Sequence, residues 1–253
     1  MLALEFPPIN ELIRWQDIVP GLNKVGVIAI LATLIGILVF LAAGRQDPLK
    51  APTGVRNLAE SSVTFIENDI VMQTMGKDGL PWTPFLLSLF IFVYLCNLPG
   101  IIPLFQMPAT ARMAIPIFLA LTVWVIYNAV GFKHNGIRYI TAMAWPKGVP
   151  VAMRPLVGVI ELLSNIVLRP FSLAVRLFAN MLAGHMLLIT FAFLSNALFF
   201  AETKRLFLAP MAILPFFMLL FLTAFEVLVG LLQAYIFTIL TAVFIDSAQH
   251  IEH

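Results

Sequence analysis

Long apolar stretches, separated by short polar segments, follow one another along most of the chain. Three uncharged runs cover residues 25–43, 83–105 and 113–132, and each has about the twenty residues that cross a ~30 Å hydrocarbon core as a helix. Two longer runs, at 155–201 and 206–246, are about twice that length. Because neither long run has a cluster of turn-forming residues near its middle, we expect each to be one long, tilted helix, and the two to form a hairpin. The alternative is that each run holds two short spans.

The segment between the first two spans has a different pattern. Apolar residues recur there at roughly helical spacing among charged ones, and the apolar set is Val55, Leu58, Ala59, Ile66 and Ile70. This pattern predicts an amphipathic helix over 53–75 on the membrane surface, with an ordinary helix in a soluble loop as the alternative. We therefore expect a single all-α integral membrane domain over 1–253, with five transmembrane helices and one amphipathic interfacial helix.

Composition supports this fold class, because hydrophobic residues make up 61% of the 253 positions and charged residues only 11%. A chain of this length cannot bury that much apolar surface internally, so lipid must cover the remainder. The net charge of +2, without a basic cluster in the sequence, argues against a nucleic-acid partner. About twenty fairly polar residues precede the first span, so we expect that span to be a retained anchor and not a cleaved signal.

Lysine and arginine counts predict the orientation of the spans. Five spans put the two termini on opposite sides, and cytoplasmic segments carry the excess of Lys and Arg. Segments 44–82 and 133–154 together hold eight of these residues, whereas the segments on the other side hold five. We therefore expect the N-terminus outside and the C-terminus in the cytoplasm.

A charged residue inside a lipid-spanning helix costs about +2.5 to +3.5 kcal/mol on insertion scales, and it commonly marks a transport path. Arg176 lies about twenty residues into the fourth run, and its guanidinium cannot release its proton at physiological pH. It can hold a carboxylate in the ionised state or block a cation, but it cannot relay protons. The structural alternative is an interhelical ion pair with Glu226 or Glu161.

Small and polar residues share one side of the predicted helix with Arg176. They are Ser172, Ala179, Asn180, Ala183 and Gly184, at three, four, seven or eight positions from it. Small side chains let another helix approach closely. A deep arginine in such a stripe suggests a partner that slides past it, although helix packing within this chain would use the same residues.

Two titratable residues, His185 and Glu226, lie in the last two runs, and both can exchange protons near neutrality in a polar cavity. The two helices run in opposite directions, so if Arg176 and Gln233 are level, the pair meets at similar depth on the outer side. One face of the last helix carries Thr223, Glu226, Gly230 and Gln233, as a water-lined seam requires. The structural alternatives are an interhelical hydrogen bond for Gln233 and a bond to a carbonyl for His185.

The sequence suggests no other chemistry. It has no phosphate-binding loop, no Cys/His spacing typical of a metal site and no plausible Ser–His–Asp set. We therefore expect no catalytic residue, no cofactor and no metal.

Three segments of the sequence resemble one known family. The stretch from Arg169 to His185, RPFSLAVRLFANMLAGH, resembles the signature of subunit a of F-type ATP synthases, the stator subunit that conducts protons. The segment that begins at Glu226, with Gln233 seven residues later, is similar to the last helix of that family. The segment Asn97-Leu-Pro-Gly-Ile-Ile-Pro103 resembles the family motif at the end of the second span.

The resemblance implies a role for each matching residue. The essential arginine of the family falls on Arg176, its helper asparagine on Asn180 and its glutamine on Gln233. The outer half-channel pair falls on His185 and Glu226. Some bacterial members hold the acid first and the histidine second, whereas this chain has the histidine first. Both groups are kept in either order. Glu161 is matched to a family acid, but it lies fifteen residues before Arg176, whereas that acid usually lies fourteen before. Thr223, placed by the polar face of the last helix and not by the resemblance, completes the expected lining.

On this resemblance the chain moves protons through two offset half-channels to and from carboxylates of a rotor c-ring, and drives ATP synthesis without catalysing it. The expected partners are the c-ring, the peripheral stalk subunit b, the other ATP synthase subunits and membrane lipid, in a bacterial plasma membrane. A stand-alone cation/proton antiporter is the rival function, but we find no inverted repeat with broken helices in the sequence. A membrane scaffold, the third interpretation, leaves Arg176, His185 and Glu226 unexplained.

Overall fold

The computed structural model describes residues 17–19, 22–45, 51, 53–102, 108–144, 153–199 and 209–250. Residues 103–105, 200–201 and 206–208 of the predicted spans lie outside this set. The described chain begins with a short antiparallel ribbon, β1 (Asp17–Val19) paired with β2 (Leu22–Asn23), which the hydrophobic pattern did not predict. All the other regular elements of the described residues are helical.

Eight α-helices follow within the described residues, several of them extended by short 3₁₀ or π-helical turns. They are α1 (Lys24–Gly44), α2 (Val55–Phe65, continued by a π-helical turn Ile66–Val71 and by Met72–Thr74), α3 (Thr83–Asn97, between 3₁₀ turns Gly76–Trp82 and Leu98–Gly100), α4 (Ala114–Asn135, after a 3₁₀ turn Ala109–Ala111), α5 (Arg138–Ala144), α6 (Arg154–Leu163), α7 (Arg169–Phe199) and α8 (Ile213–Gln249, after a 3₁₀ turn Ala209–Ala212). A π-helical turn, Ser164–Leu168, joins α6 to α7.

Five helices of the described chain are long and apolar enough to cross a membrane. The two long runs are single helices of 46 residues, Arg154–Phe199, and 37 residues, Ile213–Gln249, so neither contains two short spans. At 1.5 Å per residue they measure about 69 and 55 Å, well beyond a ~30 Å hydrocarbon core. They pack against each other as antiparallel neighbours, and the all-α integral membrane fold is confirmed, while their tilt in the membrane stays a prediction.

Side chains satisfy the backbone groups at several helix ends, where regular hydrogen bonds run out. The Asn23 side chain accepts a hydrogen bond from the amide of Gly26 at 3.1 Å and so caps the start of α1. The Asn135 amide donates to the carbonyls of Ala248 at 3.0 Å and Gln249 at 3.4 Å, in the last turn of α8. Asn135 therefore ties the end of α4 to the end of the last helix.

The protein core lies between α3, α4, α7 and α8, with the π-helical part of α2 packed against it. The amphipathic helix predicted over 53–75 is present, and its apolar residues Ile66, Ile70 and Val71 are fully buried. Its polar side carries an ion pair in which Arg56 Nε lies 2.7 Å from Glu60 Oε1. That this helix lies on a membrane surface stays a prediction.

Large apolar side chains cover the outside of the molecule. They include Leu38, which is 62% exposed, Phe118 at 66% and Leu214 at 77%. A soluble protein rarely tolerates apolar patches of this extent. In a bilayer the same surface faces hydrocarbon, so the exposed residues support the assignment of the spans.

Gly131 lets α4 and α5 pack closely, because a Cβ atom at this position would overlap the ring of Tyr139, which is 2% exposed. We expect Gly131→Ala to destabilise the protein by about 1–3 kcal/mol, since the buried ring must move. Thermal aggregation of the detergent-solubilised protein measures the change. Gly44→Ala is the matched control, because nothing lies within 4 Å of a Cβ atom there; equal effects would contradict the proposed contact.

Candidate functional site

Helix α7 has one covered face and one uncovered face. The covered face, which packs against α4 and α8, carries the buried residues Leu173, Ala174, Leu177, Met181 and His185. The uncovered face carries Ser172, Arg176, Ala179, Asn180 and Ala183, all exposed. The small-residue stripe predicted around Arg176 is therefore not used for packing within the described part of this chain, except at its end.

Gly184 is the member of the stripe that turns inward. A Cβ atom on Gly184 would lie 3.2 Å from Oε1 of Glu226, so the absence of a side chain is what lets the carboxyl group approach α7. The stripe thus divides into an outer part beside Arg176 and an inner position that receives Glu226.

Arg176 forms no salt bridge or hydrogen bond with another described residue; the ion pairs found there are Arg56–Glu60 and His250–Asp246. The alternative pairing of Arg176 with Glu226 or Glu161 is therefore not observed. Glu226 is buried, 4% exposed, on the inner side of α8, whereas Glu161 is exposed. A permanent charge on an exposed face of an apolar helix needs a counter-charge or water from outside that face.

His185 and Glu226 are both buried, at 5% and 4% exposure. His185 Nδ1 and both carboxyl oxygens of Glu226 have no hydrogen-bond partner among the described residues. The alternative of a structural bond from Nδ1 to a carbonyl is therefore not found there. Buried polar groups normally have partners, so an unpaired cluster of this kind is a candidate for exchange with water or protons.

Three contacts fix the register between α7 and α8. Gly184 lies against Glu226, the guanidinium of Arg169 lies 5.2 Å from the centroid of the Phe244 ring, and the rings of Phe199 and Phe216 are 6.3 Å apart. Counting from the Gly184–Glu226 contact places Arg176 opposite Ala234, and counting from the Arg169–Phe244 contact places it opposite Phe237. Gln233 thus lies within about one helical turn of the level of Arg176.

Arg176 and His185 also differ in their position around the axis of α7. Nine residues separate Arg176 from His185, and at about 100° per residue they point to opposite sides of α7. The burial of the two side chains agrees with this geometry, because Arg176 is exposed and His185 is covered. The arginine and the titratable pair do not share one open groove of this chain.

The polar face predicted on α8 points inward. Glu226, Gly230 and Gln233 are buried, and Thr223 is half-buried with its hydroxyl donating to the Leu219 carbonyl at 2.7 Å. No hydrogen bond joins the Gln233 side chain to another described residue, so the interhelical bond considered for it is not found in this part of the chain.

Asn97 has a role that the sequence did not reveal. Its side-chain amide donates to the Gly230 carbonyl at 3.2 Å, and its Oδ1 accepts from the Thr110 hydroxyl at 2.5 Å. A Cβ atom at Gly230 would lie 3.4 Å from the Asn97 Cβ, so the two helices are in close contact at this bond. The bond holds α3 against α8 between Glu226 and Gln233; an asparagine at the end of an apolar run was the available signal.

The unusual spacing of Glu161 has a structural counterpart. The π-helical turn Ser164–Leu168 lies between Glu161 and Arg176, and such a turn holds one residue more than an α-helical turn. The fifteenth residue in this spacing is therefore absorbed locally. The sequence did not indicate that polar side chains of α4 and α7 would surround this turn.

These features describe one class of protein: an all-helical integral membrane protein with a buried glutamate, a buried histidine and a permanent cation on an uncovered helix face, suited to ion translocation. A family model described as ATP synthase A chain matches residues 26–246. The chain therefore belongs to the ATP synthase subunit a family, the proton-translocating subunits of the membrane sector. A stand-alone antiporter finds no support in these comparisons.

Individual relatives agree over most of their length. ATP synthase subunit a of Frankia alni is 42% identical over 249 residues, which cover 95% of this chain and 84% of that protein. Subunit a of Parvibaculum lavamentivorans is 39% identical over 221 residues, or 87% and 82% of the two chains. Subunit a of Nocardioides sp. is 36% identical over 239 residues, or 94% and 86%.

The contact between Gly184 and Glu226 can be tested by a graded substitution. We expect Gly184→Ala to lower passive proton conduction and Gly184→Val to lower it further, because a Cβ atom 3.2 Å from Oε1 forces the carboxyl group to move. Conduction is measured in membrane vesicles stripped of the catalytic sector. Gly44→Val, at a position with open space around it, should have no effect. A similar loss of conduction in that variant would contradict the importance of the contact between Gly184 and Glu226.

Proposed function

We propose that this chain conducts protons through two half-channels offset across the membrane, and that it exchanges them with carboxylates on a rotor c-ring passing the uncovered face of α7. The observation that carries the proposal is the exposed Arg176, which pairs with no other described residue and is flanked by Ala179, Asn180 and Ala183. Small neighbours allow a second helix to approach the guanidinium closely. A passing carboxylate supplies the counter-charge that the arginine lacks.

In this proposal the outer half-channel passes His185 and Glu226. Both groups are buried and unpaired among the described residues, so contact with water offsets their desolvation.

The polar face of α8 continues the path inward. Gln233 is buried, about one helical turn or less from the level of Arg176, and Asn97 holds the segment between Glu226 and Gln233 in place. Thr223 donates its hydroxyl proton to its own helix, which leaves its oxygen as an acceptor for water. Asn180, on the uncovered face one turn from Arg176, is assigned to the rotor side.

The inner half-channel is assigned to the first part of the 46-residue helix. Glu161 lies near the start of this helix and is exposed, as a group at a water-filled entrance would be. A protonated rotor carboxyl group can enter lipid, which an ionised one cannot do cheaply. After nearly a full turn it releases the proton on the inner side, and the anion is then attracted to Arg176.

The direction of movement comes from the membrane potential. A potential of ~200 mV supplies about 4.6 kcal/mol for each charge moved across the membrane. Arg176 stops protons from crossing directly between the half-channels, since a guanidinium neither accepts nor releases a proton at physiological pH. The rotor is then the route from one half-channel to the other.

The remaining assignments follow from membership of an ATP synthase. The chain does no covalent catalysis, and it contacts the c-ring, the peripheral stalk subunit b, further ATP synthase subunits and lipid. Its N-terminus is outside and its C-terminus is in the cytoplasm of a bacterium whose plasma membrane holds the complex. Lysine and arginine counts support this orientation.

Arg176→Ala should abolish proton-driven ATP synthesis, because no fixed cation then stabilises the ionised rotor carboxylate or separates the half-channels. Synthesis is measured in inverted membrane vesicles that contain normal amounts of the assembled complex. Lys133→Ala is the matched control, since it removes an exposed cation at the end of α4 and should leave synthesis unchanged. Wild-type synthesis by Arg176→Ala would end the rotor proposal.

Glu226→Gln or His185→Asn should slow passive proton conduction at least tenfold, because each substitution removes a proton-exchanging group from the proposed outer half-channel. Conduction is followed by the decay of an imposed pH gradient in vesicles stripped of the catalytic sector. Leu228→Ala, at an apolar position of α8 that is 59% exposed, should conduct like wild type. If all three variants behaved alike, the pair would have no place in the channel.

A further inference from the structure

The π-helical turn Ser164–Leu168 leaves one carbonyl without its usual donor. At the end of this turn the amide of Arg169 donates to the carbonyl of Ser164, five residues before it. In a regular α-helix the same amide would bond to the Asn165 carbonyl, four residues before it. The turn therefore takes the α-helical donor away from Asn165.

The next residue cannot replace that donor. If the π-helical pattern continued, the amide of residue 170 would bond to the Asn165 carbonyl, but Pro170 has no amide hydrogen. Asn165 is 3% exposed, so bulk water does not reach the group. A buried carbonyl without a partner is unfavourable, and most such groups find one elsewhere in the protein.

Helix α4 supplies two donors. Trp124 Nε1 donates to the Asn165 carbonyl at 3.2 Å, and the Tyr127 hydroxyl donates to the same oxygen at 2.8 Å. The two residues are three positions apart and so lie on one face of α4. A carbonyl oxygen has two lone pairs, which these donors occupy. Side chains of a neighbouring span thus supply the hydrogen bonds that the backbone of the turn does not give to this carbonyl.

The same turn is also tied to α8. The Asn165 side chain accepts from Arg169 Nη1 at 3.1 Å, and the Arg169 guanidinium lies 5.2 Å from the centroid of the Phe244 ring. The Tyr127 ring packs against Phe244 too, with a centroid distance of 5.7 Å. Three helices therefore meet at the turn, and its rotation about the helix axis is fixed by contacts on two sides.

The position of the turn matters because Arg176 follows it on the same helix. A π-helical turn holds one residue more than an α-helical turn, and one residue corresponds to about 100° of rotation. If the turn reverted to a regular helix, the segment with Arg176 would rotate by that angle relative to α6. The arginine would then leave the uncovered face on which it now lies.

We propose that Trp124 and Tyr127 are positioning residues for proton translocation, which hold the Asn165 carbonyl and so fix the angle at which α7 presents Arg176 to the rotor. This inference rests on the proposed role of Arg176. It assigns a function to two aromatic residues on a helix that carries none of the proton-exchanging groups.

The test uses a substitution that returns the missing donor. In inverted membrane vesicles, the double variant Trp124→Phe/Tyr127→Phe keeps both aromatic side chains but removes both donors, and we expect ATP synthesis per assembled complex to fall about tenfold. Adding Pro170→Ala supplies an amide hydrogen in reach of the Asn165 carbonyl and should restore most of the activity. Pro170→Ala alone should remain close to wild type.

Pro84→Ala is the matched control, because this proline lies in the first turn of α3, far along the chain from Asn165, and it should not restore the double variant. Wild-type synthesis by the double variant, or no recovery with Pro170→Ala, would overturn the inference. If the double variant is lost from the membrane, the amount of assembled complex is the readout. Pro170→Ala should then return the complex to the membrane, and Pro84→Ala should not. Arg176→Ala in the same vesicles tests the rotor proposal separately.

Discussion

Hydrocarbon offers neither hydrogen-bond partners nor counter-charges, and this constraint determines where each polar group of the chain lies. In a helix the backbone N–H and C=O groups bond to one another. Hydroxyl groups such as those of Thr33 and Thr190 donate to the carbonyl four residues before them. Asn135 completes the end of α8 in the same way. Against this background Arg176, His185 and Glu226 stand out, because the described residues provide partners for none of them.

Glycine makes close approach between these helices possible. At Gly184 the missing side chain admits the Glu226 carboxyl group, at Gly230 it admits Asn97, and at Gly131 it admits the Tyr139 ring. At Gly184 the group admitted is the polar end of a side chain. The small residue there thus brings a polar group between apolar helices, and does more than allow helices to pack.

The sequence was sufficient for features that depend on length, hydropathy and charge. Five spans, two of them unusually long, follow from the apolar runs, and Arg176, His185 and Glu226 are recognisable as charges or titratable groups within them. Angular position was harder, because a stripe at helical spacing does not show which neighbour it meets. Gly184 belongs to the stripe of Arg176 by spacing, yet it faces Glu226.

Features that depend on partners far apart in the chain could not be predicted. The bond from Asn97 to Gly230 joins residues 133 positions apart, and Trp124 meets Asn165 across 41. Pro170 has no amide hydrogen for the Asn165 carbonyl, but a proline within a helix permits a kink, a break or a π-helical turn. The donors that this carbonyl meets on α4 are 41 and 38 positions away, which a local pattern does not contain.

The placement of Arg176 and His185 on opposite sides of α7 has a consequence for proton leakage in the proposed mechanism. If both groups lined one groove, a chain of water molecules could join the two half-channels past the guanidinium. Instead the body of the helix, with Leu177 and Met181 buried against its neighbours, lies between them. The fixed charge then needs to control only the narrow contact with the rotor, where its field is strongest because water is largely excluded. Separation by the helix and repulsion by the arginine are therefore complementary barriers to a direct proton path.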